Sequence, residues 1–137
     1  VKVLILSRVF MKSHVLAGEL TGFPAAFRDG RKLHTIRANR KGYYKDREFV
    51  SVRTWSGLPY CSKQLQLGGV RIGLEPVRLK CCAKVIDCFV GEKPIDPQTL
   101  AKKDGLTLEA FQQWFFPGGT GSFSGNIIHF TDMRYSL

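Results

Sequence analysis

Residues Val77 to Val90 are dense in Val, Ile, Cys and Phe, interrupted by Lys80 and Lys84. Such residues favour a pleated surface, so the stretch fits one long strand or two short ones. Similar signals recur along the chain. Val1 to Leu6 reads as a strand buried on both faces. Leu33 to Arg37 has the composition of a short strand, and Glu48 to Trp55 alternates in part and is the clearest strand. Val70 to Leu74 follows Gly68 and Gly69, and Asn126 to Phe130 with Thr131 to Tyr135 would close the chain as a final strand.

Helical pattern is scarcer. A short turn or helix is expected around Phe10 to Leu20, because Gly18, Gly22 and Pro24 interrupt any longer helical period. Pro97 to Lys103 reads as a helical turn. Gly105 to Trp114 reads as an amphipathic helix capped by Thr107, with Leu108, Phe111 and Trp114 or Phe115 on one face. Pro117 to Gly125 is rich in glycine but lacks the G-K-[ST] ending of a phosphate-cradling loop, which leaves a flexible connection. Many short strands with two helical insertions imply an α+β domain built on a small, curved, partly closed sheet.

The chain has 137 residues, which suits one domain spanning 1–137. Its apolar and charged fractions, 44% and 23%, exclude disordered and fibrous classes. Lys and Arg number 21 against 11 Asp and Glu, a formal charge of +10 that favours a polyanionic partner, with RNA or a nucleotide foremost. A solvated basic surface is the plainer explanation. Val1 to Leu6 is too short for a signal-peptide core, and no later run approaches membrane-span length. A soluble, cytoplasmic protein is therefore expected.

Cys61, Cys81, Cys82 and Cys88 lack zinc-ligand spacing. Small apolar core residues in a reducing compartment explain them better than a disulfide framework. His34 and His129 read as packed or hydrogen-bonded strand residues, since no paired His or carboxylate spacing supports them as ligands. Neither a metal nor a cofactor is expected, and His14 carries no signal.

The densest cluster of chemistry-bearing residues is Gly30 to Arg37, G-R-K-L-H-T-I-R. On a strand, Lys32, His34 and Ile36 share one face, and Leu33, Thr35 and Arg37 the other. With Lys32 in the turn ahead of the strand, its amine can reach Thr35. A lysine desolvated beside another cation loses basicity and can act as a base for a neighbouring hydroxyl. An ordinary exposed strand end is the competing explanation. A second cluster, Arg53 to Gln64, sets Arg53, Trp55, Tyr60 and Lys63 around a sharp turn, where rings could stack on unpaired bases while cations hold phosphate. Core packing competes for Trp55, and it is the expected task of Trp114, Phe115 and Phe116.

The G-R-K-x-x-T-I-R string resembles the N-terminal motif of ASCH domains in the PUA-like superfamily, in particular the small bacterial N4-acetylcytidine amidohydrolases. The resemblance runs thinly over most of the chain. Its specificity lies in this motif, in Asp104 to Glu109 at a helix start, and in the closing Ile127 to Phe130. It implies a PUA-like barrel or partly closed sheet and a site for RNA or a modified nucleoside. It also implies a catalytic lysine at Lys32, a threonine nucleophile at Thr35 and a catalytic carboxylate at Asp104, where the family carries glutamate. Arg31 and Arg37 would add cationic contacts beside them. The expected activities are RNA or nucleoside binding and, alternatively, removal of an acyl group from a modified base.

Overall fold

A computed structural model describes residues 1–136. They form an α+β arrangement of two sheets and three short α-helices. The smaller sheet joins β1 (Lys2–Ile5), β3 (Phe49–Trp55) and β4 (Gln64–Arg71) in the order β1-β3-β4. Its first pair is parallel and its second antiparallel. The larger sheet contains β2 (His34–Arg37), β5 (Gly73–Cys82), β6 (Val85–Val90), β7 (Lys93–Ile95) and β8 (Gly121–His129). Its order is β2-β8-β5-β6-β7, antiparallel throughout. Each sheet keeps two edges, so among the described residues the strands do not close into a barrel.

The apolar alternation of the strands feeds one core. Leu4, Val50 and Val52 from the smaller sheet join Val77, Leu79, Ile127 and Ile128 from the larger, all essentially inaccessible to water. Helix α2 (Pro97–Lys103) starts with proline in its first turn, where the missing N–H costs no hydrogen bond. Helix α3 (Leu108–Phe115) is capped by the Thr107 hydroxyl, which accepts from Ala110 N–H at 3.1 Å. It seals the core with Phe111, a residue whose burial stabilises by roughly 1.5–3 kcal/mol. No helix of the described residues is long and apolar enough to cross a membrane.

Several expected boundaries move, each for a local reason. Residues Phe10 to Leu20 contain no helix; they form a loop of turns closed by Phe10 N–H donating to Glu19 O and by a bridge between Val9 and Leu20. The helix lies beyond, as α1 (Phe23–Arg28), because Gly22 takes φ 77° at its N-cap and Pro24 fits the first turn. Gly22 and Pro24, expected to interrupt a helix, thus start one. Likewise β4 runs through Gly68 and Gly69, where the absence of side chains admits the rings of Phe27 and Phe49. Strand β5 tolerates Pro76 because pairing with β6 begins only at Val77, so Pro76 has a strand neighbour on one side alone.

Strand β8 begins at Gly121, inside the expected flexible connection. Thr131 to Tyr135 is not a strand: Arg134 donates to Thr131 O and Met133 O, curling the chain so that Tyr135 and Ser136 N–H reach the Glu75 carboxylate. Cys81 and Cys88 are buried on facing strands, and burial pushes the Cys88 thiol up to about 12. Cys61 and Cys82 are exposed, so core packing accounts for only two of the four thiols.

Candidate functional site

Lys32 is delivered by the end of α1. Arg31 N–H and Lys32 N–H both donate to Ala26 O, and the next amide, Leu33 N–H, donates to Lys103 O at 2.7 Å. The chain after α1 is thereby stitched to the end of α2. There Asp104 caps the helix and Gly105 turns at φ 86°, its bare Cα lying against the Lys32 stem. A side chain at Gly105 would contact Lys32 Cβ at 3.4 Å and would hold a strained backbone, so glycine suits both the turn and the lysine.

Residues 72 apart in sequence meet as a result. Lys32 Nζ donates to Asp104 O at 2.6 Å and lies 3.4 Å from Asp104 Oδ1, while its charge sits 3.9 Å from the Phe23 ring centroid. Lys32 is 2% exposed and Asp104 4%. Burial pulls the lysine below its ordinary basicity; Arg37 acts in the same sense, and Asp104 opposes both.

His34 completes the buried group. Its Nδ1 lies 3.0 Å from Asp104 Oδ1 and its Nε2 lies 2.6 Å from the Tyr135 hydroxyl. Burial depresses the imidazole's proton affinity, with Lys32 and Lys103 adding to the effect against Asp104. Burial also raises the Tyr135 phenol. The arrangement that satisfies every atom has Nδ1–H donating to the carboxylate and Tyr135 O–H donating to Nε2. Asp104 is thus held from two sides, by an ammonium and by an imidazole N–H.

These residues back a cavity of about 180 Å³ lined by Lys32, Thr35, Arg37 and Asp104 and by the aromatic side chains of Phe23, Trp114 and Phe115. Thr35 points to the same face of β2 as Arg37, whose Nε donates to the Thr35 hydroxyl at 3.4 Å. The Arg37 guanidinium also donates to Ile5 O. A volume of this size, below the roughly 300–1,000 Å³ of drug-sized sites, fits one ring or a short acyl group with its attachment point.

The structure brings Lys32, Thr35, Asp104 and Arg37 to one cavity and leaves the other candidates outside it. Arg31 is exposed and paired with Asp29 at 3.0 Å. Arg53 donates to Ser51 Oγ and Gln64 Oε1, and Lys63 is exposed. Trp55 is half-buried with its ring centroid 5.1 Å from that of Tyr60, in a separate cleft. Phe116 is buried as expected, and half-buried Trp114 and Phe115 pack against the core while also lining the cavity. On a strand His34 shares the face of Lys32, and this parity is the sequence signal for its contact with Asp104; nothing local marks Tyr135.

A second buried pair stands behind the first. His129 Nε2 lies 2.8 Å from Glu75 Oε1, and its ring centroid is 5.6 Å from that of His34, its register partner. Among the described residues His129 Nδ1 has no partner. Neutral His129 with Nε2–H donating to Glu75 accounts for this pattern, since only an acceptor lone pair is then left bare. Among the described residues no group of three or more His, Cys, Asp or Glu side chains could hold a metal ion.

No family model, no curated protein and no solved structure matches this chain.

Proposed function

We propose that this chain binds RNA through a single nucleobase or modified nucleoside, taken into the cavity between Lys32, Thr35 and Asp104. One observation carries the proposal: a cation and a carboxylate, both nearly inaccessible, back a base-sized hollow whose walls include three aromatic side chains. A buried ion pair is a poor device for stability, because desolvation cancels most of its attraction. Placed at a cavity, it supplies donors and an acceptor for a polar ring, with aromatic faces to pack against it. The formal charge of +10 supports a polyanionic ligand. The likeness of Gly30 to Arg37 to the ASCH motif of PUA-like domains supports the same assignment. Fluorescence anisotropy with labelled single-stranded RNA at two salt concentrations tests it. Binding at about micromolar concentration that weakens as salt rises is expected; no binding at low salt overturns it.

A second reading, hydrolysis of an acylated base such as N4-acetylcytidine, is favoured by the lowered basicity of Lys32, which lines one cavity with Thr35. In that reaction Thr35 Oγ bonds the acyl carbon as its proton passes to the Lys32 amine. The carbon–nitrogen bond then breaks as the departing base amine takes that proton, and water cleaves the acyl-threonine. Asp104 orients the lysine. Incubation with N4-acetylcytidine, followed by chromatography, is expected to show cytidine released by the wild type and not by Thr35→Ala, with ligand binding retained. Equal rates for the two proteins would rule the hydrolysis out.

A further inference from the structure

A second cleft of about 230 Å³ adjoins the Lys32 cavity and shares Ser7 with it. Its lining includes Ile5, Arg8, Trp55, Pro59 and Tyr60. The two hollows are separated by the chain leaving β1: Ile5 stands on the wall of the second, and its carbonyl accepts the Arg37 guanidinium that lines the first.

Three features of this cleft have no structural explanation. Tyr60 is 90% exposed, with its ring 5.1 Å from Trp55 and its planes inclined at 52°. An aromatic pair left in water is a stacking surface without an occupant. Tyr60 also takes φ 61°, a conformation that non-glycine residues seldom adopt, so the chain accepts backbone cost to hold this ring outward. Arg8 Nε is buried without a hydrogen-bond partner among the described residues. Finally, Arg8, which lines the cleft, is not ion-paired among the described residues.

We infer that the Trp55–Tyr60 cleft is a second subsite, which takes the nucleotide flanking the one in the Lys32 cavity, so that the ligand is single-stranded RNA and not a free nucleoside. The inference rests on the function proposed above. The chemistry of each feature matches one part of such a strand. A flanking base stacks on the Trp55 and Tyr60 rings, which accept any base because every base has a π face. Arg8 lines the cleft and follows the shared wall residue Ser7, so its guanidinium is the cation available to the phosphate joining the two nucleotides. Arg53 shares a strand face with Trp55 and extends the cationic track. A lone nucleoside has neither phosphate nor second base and leaves the Trp55 and Tyr60 rings and the Arg8 guanidinium unused.

The test compares N4-acetylcytidine with the trinucleotide that carries it between two uridines, by calorimetry at low salt, reading KM where the acetyl group is removed. Wild-type protein is expected to prefer the trinucleotide about tenfold or more, the factor that one stacked base supplies. Tyr60→Ala, at a fully solvated position, should remove most of that preference while leaving nucleoside affinity unchanged. Arg8→Met should reduce it and lower the salt dependence by about one phosphate contact. Equal affinity for the two ligands in the wild type overturns the subsite and leaves the Lys32 site standing. A trinucleotide preference that survives both substitutions overturns this cleft as its location. Failure of the wild type to bind either ligand overturns the subsite, and failure to bind the labelled single-stranded RNA as well overturns the proposed function.

Discussion

Lys32 Nζ lies 3.4 Å from Asp104 Oδ1 and 2.6 Å from the carbonyl oxygen of the same residue, with both side chains nearly out of reach of water. Removing one member strands the other as an uncompensated buried charge, whereas removing both leaves only the neutral His34 Nδ1–H without its acceptor. Asp104→Ala is therefore expected to cost about 3–5 kcal/mol, and Lys32→Met with Asp104→Leu together distinctly less. Urea unfolding of the three proteins measures this. A double variant as unstable as Asp104→Ala alone would show that the pair contributes net stability.

Tyr135→Phe isolates the far end of the same chain of contacts. The substitution keeps the ring and removes the hydrogen donated to His34 Nε2, leaving a buried acceptor bare at a cost of about 1–3 kcal/mol. Nitrogen chemical shifts of His34 should keep the Nδ1–H form in both proteins, because Asp104 still accepts that hydrogen. A shift to the Nε2–H form in the wild type contradicts the assigned hydrogen-bond direction.

Gly125→Ala reaches the cavity through the backbone. A methyl group there would collide with the Arg37 carbonyl, so β8 and β2 must separate locally. Loss of about 1–3 kcal/mol in stability is expected. RNA affinity should fall as well, since Arg37 and Thr35 lie on the displaced strand. Unchanged thermal stability would mean that the two strands yield without strain.

Much of this architecture was legible from residue type and spacing. Thr107 announces α3, Pro97 announces α2, and the alternation of Phe49 to Trp55 announces β3, because each signal is local and its partner lies within a few residues. Parity in Lys32 to Arg37 separated Thr35 and Arg37 from His34 correctly. What escaped depends on distant contacts. The hairpin between β5 and β6 turns at Ala83 and Lys84 with φ of 50° and 67°, without the Asn-Gly pair that normally marks such a turn. Lys84 N–H is instead tied to Gly119 O, from another part of the chain. The glycines at 68, 69 and 125 resemble loop residues until the rings and backbone packed against them are known. Tyr135 enters the site only because the chain end folds back onto Glu75.

Acid should weaken the fold before any carboxylate in an ordinary environment is protonated. Burial lowers the His129 imidazole to about 4 from its usual 6.5, with His34 and Arg134 adding to the effect and Glu75 opposing it. His34 is depressed in the same direction. Glu75 remains charged through this range: burial works to raise it, but hydrogen bonds from Ser136, Tyr135 and His129 hold it below the usual carboxylate value. The unfolded chain takes up a proton on each histidine as pH falls through about 6.5, while the native chain resists until about 4 at His129. Native stability is therefore fully present above pH 6.5 and is progressively lost below it. From His129 alone the loss by pH 5 is about 2 kcal/mol. The structural cause is plain: a second proton would sit on Nδ1, which has no acceptor. Urea unfolding at pH 7 and pH 5 is expected to show that loss in the wild type. The loss should shrink in His129→Gln, whose side-chain amide can still donate to Glu75 without titrating. An identical pH dependence in the two proteins would place the acid sensitivity elsewhere in the molecule.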